Sequence, residues 1–182
     1  MNVIQTTLPG VLLLEPRVFG DERGFFFESF NAKAFREATG VAAEFVQDNH
    51  SYSKRGVLRG LHYQIAQAQG KLVRAVSGAV FDAVVDLRRS SPTFGRWEGF
   101  ELSAQNKRML WVPPGFAHAY LVLSEDADFL YKTTDYWAPQ HERCLLWNDP
   151  AVGVEWPLPA GAPVLSAKDQ VGLPLAQAEC YA

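Results

Sequence analysis

The feature that most constrains the fold is an alternating pattern that runs through residues 71–87. In the second half of this run, the odd positions are all apolar, whereas the even positions include Asp82 and Asp86. A period of two residues is the pattern of a β-strand whose two faces meet different surroundings. Ser77 and Gly78 interrupt the run. The pattern therefore predicts two strands joined by a hairpin turn at these two residues.

Similar β-like runs recur about every ten residues and are separated by Gly, Pro, Asn and Asp. They cover residues 11–19, 25–30, 44–50, 57–64, 96–103, 108–112, 118–124 and 128–136. Short strands at this spacing predict an all-β sandwich or barrel. A short helix is expected between Asn31, as its N-cap, and Gly40. The Pro-rich tail from residue 148 is expected to form an irregular strap with one or two short helical turns.

Composition excludes several classes of protein. A chain of 182 residues fits one domain, so we expect residues 1–182 to fold as a unit. The net charge of -3 argues against non-specific binding to nucleic acid. We expect no membrane span, because no run of about 18 apolar residues occurs. Two cysteines at unrelated positions, Cys144 and Cys180, and the lack of a signal-like N-terminus predict a cytoplasmic protein.

Two histidines lie where a β-barrel could present them to its interior. His118 ends the string Pro113-x-Gly115-x-x-His118, which matches the second half of the cupin motif. The first half needs His-x-His, but Gly60 stands two residues before His62. Three good metal ligands are therefore not assembled, and we expect a cupin without a metal.

A glycine interrupts the strand that carries His62. Strict alternation would place Arg59 and His62 on opposite faces, but Gly60 is a position where a β-bulge is common. A bulge would let both side chains reach one cavity. Together with Arg23, Lys71 and Lys168, Arg59 suits an anionic ligand such as a diphosphate.

Nine strings, in this order, resemble the dTDP-4-dehydrorhamnose 3,5-epimerase family from about residue 4 to about residue 170. They are Asp21–Phe26, Gln47–Ser51, Arg59–Gln64, Gln69–Val73, Asp86–Arg88, Ser91–Gly95, Pro114–His118, Tyr131–Lys132 and Trp147–Pro150. The resemblance implies a metal-free, cofactor-free cupin-type jelly-roll barrel. It also implies a homodimer paired through N-terminal strands, for which Val11–Leu14 is the expected seam.

The resemblance further implies a role for individual residues. His62 matches the base that removes a proton from the sugar, Asp169 the carboxylate that orients it, and Tyr131 the acid on the opposite face. Lys71 matches a lysine near the C4 oxygen. Trp137 stands where the family stacks an aromatic ring, often a Tyr, on thymine. The remaining matches hold nucleotide, diphosphate or sugar: Arg23, Phe26, Glu28, Gln47, Asn49, Arg59, His118, Glu142 and Lys168.

The implied substrate is a dTDP-4-keto-6-deoxy sugar. Its keto group acidifies the hydrogens on C3 and C5, and the resulting enolate needs a cation or hydrogen-bond donors. The leading hypothesis is inversion of both carbons on the way to dTDP-L-rhamnose. Inversion of C3 alone and 3,4-ketoisomerisation on the same barrel remain alternatives, as does a non-catalytic cupin that only binds a sugar nucleotide.

Overall fold

The fold consists of two facing antiparallel sheets and a small projecting hairpin, seen in a computed structural model that describes residues 1–159 and 161–182. The first sheet has the strand order β1-β2-β10-β7-β12-β5 and the second β13-β6-β11-β8-β9, while β3 pairs with β4. The strands are β1 (Asn2–Gln5), β2 (Leu12–Glu15), β3 (Phe19–Asp21), β4 (Gly24–Phe26), β5 (Gln47–Lys54), β6 (Leu58–Gln64), β7 (Lys71–Ser77), β8 (Ala79–Asp86), β9 (Trp97–Ser103), β10 (Met109–Val112), β11 (Phe116–Val122), β12 (Asp126–Thr133) and β13 (Glu142–Cys144). The all-β, jelly-roll prediction is confirmed.

Apolar side chains from both sheets meet in the central core. Val73 and Phe129 from the first sheet pack there with Val80 and Val84 from the second. The next residues of β8, such as Val85, lie instead in a separate cluster on the outer face of the second sheet. The two sets of residues that alternate along the sequence of β8 therefore lie on the inner and outer faces of the second sheet.

The chain reverses at residues 77–78 as predicted, but the turn is not a hairpin. β7 pairs with β10 and β12 in the first sheet, whereas β8 pairs with β9 and β11 in the second. The turn therefore carries the chain from one sheet to the other. Gly78 has φ +68, and a Cβ there would lie 2.0 Å from the carbonyl oxygen of Asp126. Only glycine fits this crossing.

The predicted helix is present as α1 (Ala32–Thr39). The Asn31 side chain accepts a hydrogen bond from the Ala34 amide, and Gly40 ends the helix in the left-handed conformation. Phe35 is buried against Trp111 on the outer face of the first sheet.

The Val11–Leu14 segment is buried within its own subunit, which contradicts its prediction as the dimer seam. β2 lies inside the first sheet, between β1 and β10. The free edge at that end is β1. Strands β1, β3 and β13 were not predicted. The run 11–19 is a strand only over Leu12–Glu15 before β3 begins, and the run 25–30 is a strand only as far as Phe26.

The C-terminal tail is a strap that packs on the second sheet. Val154 and Trp156 contact the outer apolar cluster, and the short helix α2 (Ala167–Gln170) follows. Ala160 lies outside the described residues. Among the helices of the described residues, none is long and apolar enough to cross a membrane.

Candidate active site

A cavity of about 350 Å³ opens between the two sheets. Eight residues singled out from the sequence line it: Arg59, His62, Lys71, His118, Tyr131, Glu142, Lys168 and Asp169. They come from both sheets and from α2. Its volume is in the range of small-molecule sites.

A bulge in β6 brings Arg59 and His62 to the same cavity, as the glycine between them predicts. Tyr120 of β11 pairs with Arg59 and His118 pairs with His62, so β6 spans the interval with one extra residue. Gly60 has φ +123, and a Cβ there would lie 2.5 Å from the carbonyl oxygen of His118. Glycine is required by both the conformation and the space.

His62 and Asp169 form a hydrogen-bonded pair at the cavity wall. His62 Nε2 lies 2.5 Å from Asp169 Oδ1, and the Ser166 hydroxyl donates to Asp169 Oδ2 at 2.7 Å. The Gly60 amide also donates to Oδ1, at 3.4 Å. A carboxylate accepts the proton on Nε2, so the other ring nitrogen of neutral His62 keeps the lone pair that a base needs.

The pKa values of this pair suit a neutral base beside a charged carboxylate. Burial lowers the pKa of His62, and Asp169 opposes that shift. Burial acts to raise the pKa of Asp169, but hydrogen bonds from His62, Ser166 and Gly60 outweigh it and hold the pKa below its usual value. At neutral pH the imidazole is therefore mainly uncharged and Asp169 is ionised.

Lys71 provides a buried cation on the opposite sheet. It lies at the start of β7, and its Nζ donates to the carbonyl oxygen of His62 at 3.3 Å. Burial lowers the pKa of Lys71 to about 8, against the opposing effect of Asp82 and Glu142. A poorly hydrated ammonium of this kind interacts strongly with a developing oxyanion.

Tyr131 faces the cavity from the sheet opposite His62. It lies on β12 of the first sheet, whereas His62 lies on β6 of the second. Burial raises the pKa of Tyr131, so the phenol stays protonated at neutral pH. Within the described residues, its hydroxyl donates no hydrogen bond to another protein group. A protonated group is thus available on the wall facing the base.

On the floor of the cavity, His118 is hydrogen-bonded to a buried acid, Asp82, which does not itself line the cavity. Its Nε2 lies 2.9 Å and 3.0 Å from the two carboxylate oxygens of Asp82. Burial raises the pKa of Asp82, while His118 and Lys71 lower it. Asp82 was not predicted as a site residue, although a carboxylate on the inward, Val80–Val84 face of β8 was the signal that could have found it.

Gln47, Asn49 and Trp137 lie together on the same side as the cavity. In β5, Gln47 and Asn49 pair with Thr133 and Tyr131, so they share the inward face. The Gln47 amide donates to Asn49 Oδ1 at 3.0 Å, and its oxygen accepts from the Trp137 amide at 3.1 Å. Trp137 is 59% exposed.

Three further predicted binding residues lie neither in the lining of this cavity nor in the group formed by Gln47, Asn49 and Trp137. Arg23 and Phe26 lie on the exposed β3–β4 hairpin, where Arg23 pairs with Asp21. Glu28 accepts a hydrogen bond from Asn31 at the start of α1. Their roles as binding residues stay predictions.

Comparison with known proteins identifies the family. The model of the family described as dTDP-4-dehydrorhamnose 3,5-epimerase matches residues 5–177. The chain belongs to the dTDP-4-dehydrorhamnose 3,5-epimerase family. It is 64% identical to the dTDP-4-dehydrorhamnose 3,5-epimerase of Pseudomonas aeruginosa, over all of this chain and 99% of that protein.

Solved structures of this epimerase family share the fold. A dTDP-6-deoxy-D-glucose-3,5-epimerase from Legionella pneumophila, in complex with dTDP-4-keto-L-rhamnose, superposes with a TM-score of 0.95 at 50% identity. The alignment covers 98% of this chain and 94% of that one. A 3'-monoepimerase from Streptomyces bikiniensis, in complex with dTDP-quinovose, gives a TM-score of 0.88 at 35% identity and covers 94% and 86% of the two chains.

The cavity also contains residues that sequence reasoning did not single out for the epimerase site. Ser51, Tyr120 and Phe129 line it, and the Tyr120 hydroxyl lies 2.8 Å from that of Ser51. The Tyr120 ring stacks on Phe129. Period-two alternation from His118 to Tyr120 and from Tyr131 to Phe129 could have indicated the two aromatic residues.

The residues at the cupin metal positions do not fit a metal. Gly60 has no side chain, the Gln64 oxygen accepts from the Ala138 amide at 2.8 Å, and His118 Nε2 faces Asp82. Beside the cavity, His62, Cys144 and Asp169 place one potential ligand atom each within 4.8 Å of one another. This trio is not the cupin motif.

Proposed function

We propose that this chain epimerises C3 and C5 of dTDP-4-dehydro-6-deoxy-D-glucose and yields dTDP-4-dehydro-L-rhamnose. The observation that carries this proposal is the placement of His62 and Tyr131 on opposite sheets of one cavity. Inverting a carbon requires a proton to leave on one face and return on the other. The family assignment, with 64% identity to a 3,5-epimerase, supports the same reaction.

In the proposed mechanism, neutral His62 removes the proton on a carbon next to the C4 keto group. Asp169 holds the imidazole and stabilises its charged form. The electrons move to the C4 oxygen, and the Lys71 ammonium stabilises the resulting enolate. Tyr131 then gives its proton to the opposite face of the same carbon. A positioned acid or base contributes about 10²–10⁴ in rate.

Binding of the nucleotide part uses the other residues of the site. Arg59 and Lys168 supply positive charge for the diphosphate, although Lys168 also contacts Glu142 at 2.6 Å. Trp137 stacks on the thymine, beside Gln47 and Asn49. His118, held by Asp82, contacts the sugar from the floor of the cavity. A cavity of about 350 Å³ suits the sugar and its diphosphate, so the thymine of the nucleotide lies at the rim of the cavity.

We also propose a homodimer in which Arg23, Phe26 and Glu28 approach the partner's nucleotide. The exposure of the Arg23 and Phe26 side chains on a projecting hairpin supports this arrangement. A cytoplasmic location and independence of any cofactor remain predictions. Prolonged chelation is expected to leave turnover undiminished.

Inversion at C3 alone is the second candidate. A 3'-monoepimerase shares the fold at 35% identity, so the fold alone does not determine whether one carbon or two are inverted. The higher identity to 3,5-epimerases favours two. The 3,4-ketoisomerase alternative predicts movement of the keto group, and a binding-only cupin predicts no hydrogen exchange.

The test is incubation with dTDP-4-dehydro-6-deoxy-D-glucose in deuterated water, followed by proton NMR. We expect deuterium at both C3 and C5 and the coupling pattern of the L-rhamno product. Label and inversion at C3 alone would establish the second candidate, and a substrate that binds without label would refute catalysis.

A further inference from the structure

Three side chains with different metal-binding chemistry meet beside the cavity. Cys144 of β13 pairs directly with His62 of β6. Paired residues of antiparallel strands lie on the same face, so the thiol and the imidazole are neighbours. Asp169 reaches the same point from α2, and one ligand atom from each residue lies within 4.8 Å of the other two.

Cys144 has no part in the proposed proton transfers. Its thiol makes one weak polar contact in the described part of the chain, to the carbonyl oxygen of Leu145 at 3.6 Å. It neither supports the bond between His62 and Asp169 nor lines the wall that carries Tyr131. A half-buried thiol therefore lies beside the base without a role in catalysis.

We propose that His62, Cys144 and Asp169 form an inhibitory site for a thiophilic divalent cation such as zinc. Sulfur, imidazole nitrogen and carboxylate oxygen are the three kinds of ligand that zinc takes in proteins. A thiolate ligand selects against magnesium and calcium, which prefer oxygen. Three protein ligands beside an open cavity leave a fourth position for water.

The ion competes with groups already in place, so the site responds to added zinc and is not permanently loaded. Binding opens the hydrogen bond between His62 and Asp169. The Cys144 thiol loses its proton to solvent as the zinc–sulfur bond forms. Lys71 and Lys168 repel the ion, whereas Glu142, which lies two residues before Cys144, attracts it.

The functional consequence is loss of the base. A His62 ring nitrogen bound to zinc has no lone pair for the sugar proton, and Asp169 no longer orients the ring. The inhibition rests on the proposed function, but the binding does not.

Cobalt(II) is the direct probe, because a cobalt–thiolate bond gives an intense charge-transfer band in the near ultraviolet. We expect the wild-type chain to show this band at one equivalent. Cys144→Ser should lack it, and Cys180→Ser should retain it. Cys180 is the matched control, because it is the chain's other free cysteine and lies in the outer cluster.

Zinc inhibition gives the second measurement. Cys144→Ser is expected to keep wild-type turnover in metal-free buffer and to need at least about tenfold more zinc for half-inhibition, since even an outer-shell partner is worth 10–100-fold in metal affinity. Cys180→Ser should follow the wild type. Cys144→Ala repeats the test. A measurement that needs no variant is the alkylation of wild-type Cys144, read by mass spectrometry, which bound zinc should slow.

The absence of a cobalt–thiolate band in the folded wild-type chain would overturn the proposal. Equal zinc inhibition of wild type and Cys144→Ser would also do so. A band without any epimerase activity would refute the proposed function and leave the metal site standing. Epimerase activity without a cobalt–thiolate band would refute the metal site and leave the proposed function standing.

Discussion

His62 and Lys71 carry opposite requirements for protonation, and their surroundings meet both near neutral pH. The base must be neutral, and burial lowers the pKa of His62 below 6.5. The cation must be charged, and Lys71 is charged below its pKa of about 8. Catalysis should therefore need a pH above the first value and below the second.

We expect kcat/KM to follow a bell-shaped pH profile. Deprotonation of His62 sets the acid limb, which should lie below pH 6.5. Loss of the proton from Lys71 sets the alkaline limb, near pH 8, because Tyr131 has a raised pKa and stays protonated through this range. Asp169→Asn should lower the rate and shift the acid limb further down, because the carboxylate raises the pKa of His62. An acid limb that rises in this variant would contradict the proposed pairing.

At the residue scale, the candidate site was largely predictable from motifs, but its contacts were not. The bond between His62 and Asp169 joins residues 107 positions apart, and no spacing rule predicts it. The partnership of His118 with Asp82 depends on which strands become neighbours. The motifs identified the residues, whereas the sheet order determined their partners.

At the scale of elements, the bulge in β6 determines which side chains share the cavity. The sequence signal for it was a single glycine. The hairpin expected at residues 77–78 was wrong, because a turn motif does not specify whether the next strand pairs with the previous one or joins the opposite sheet. Strand β13 has three residues, too few for an alternation to be recognised.

Gly60→Ala tests the bulge. The added Cβ would meet the His118 carbonyl oxygen at 2.5 Å in a conformation that costs a non-glycine residue about 1–3 kcal/mol. We expect a lower melting temperature and a fall in kcat/KM. Gly40→Ala is the control, because Gly40 also has positive φ but nothing within 4 Å of its Cβ position. It should lose some stability and keep kcat/KM.

Trp137→Ala tests the loop that follows β12. Loss of an aromatic ring stacked on a base costs about 1–3 kcal/mol, so KM should rise roughly tenfold or more with a smaller change in kcat. The neighbouring Tyr136 is similarly exposed, and Tyr136→Ala is the matched control. A large fall in kcat with unchanged KM would show that Trp137 shapes the reacting centre.

At the scale of the whole molecule, the cavity of one chain is lined by the proton-transfer residues but not by all the residues predicted to bind the nucleotide. The exposed hairpin of β3 and β4 carries Arg23 and Phe26 away from their own cavity. We expect light scattering to give twice the chain mass of 20.3 kDa. A fully active monomer would contradict the dimer.

Mixing two defective variants tests whether Arg23 acts in the partner's site. Dimers of Arg23→Ala with His62→Ala would contain one site with both defects and one intact site. Refolding or subunit exchange of the mixture should therefore restore activity. With random pairing of equal amounts, about half of the dimers are mixed and each has one intact site, so the mixture should reach about a quarter of the activity of the same amount of wild-type protein. No restoration would place Arg23 in its own subunit's site or outside catalysis.

The central claim is that His62 and Tyr131 act from opposite walls, and deuterium exchange in the two variants tests it most directly. In deuterated water, His62→Ala should make no product and take up no deuterium at C3 or C5, because no enolate forms. Tyr131→Phe should take up deuterium while making little epimer, because His62 can return a solvent-exchanged proton to the original face. Lys71→Ala should slow exchange and turnover together, by about 10²–10³. If Tyr131→Phe loses exchange as completely as His62→Ala, the assignment of separate roles to the two walls is wrong.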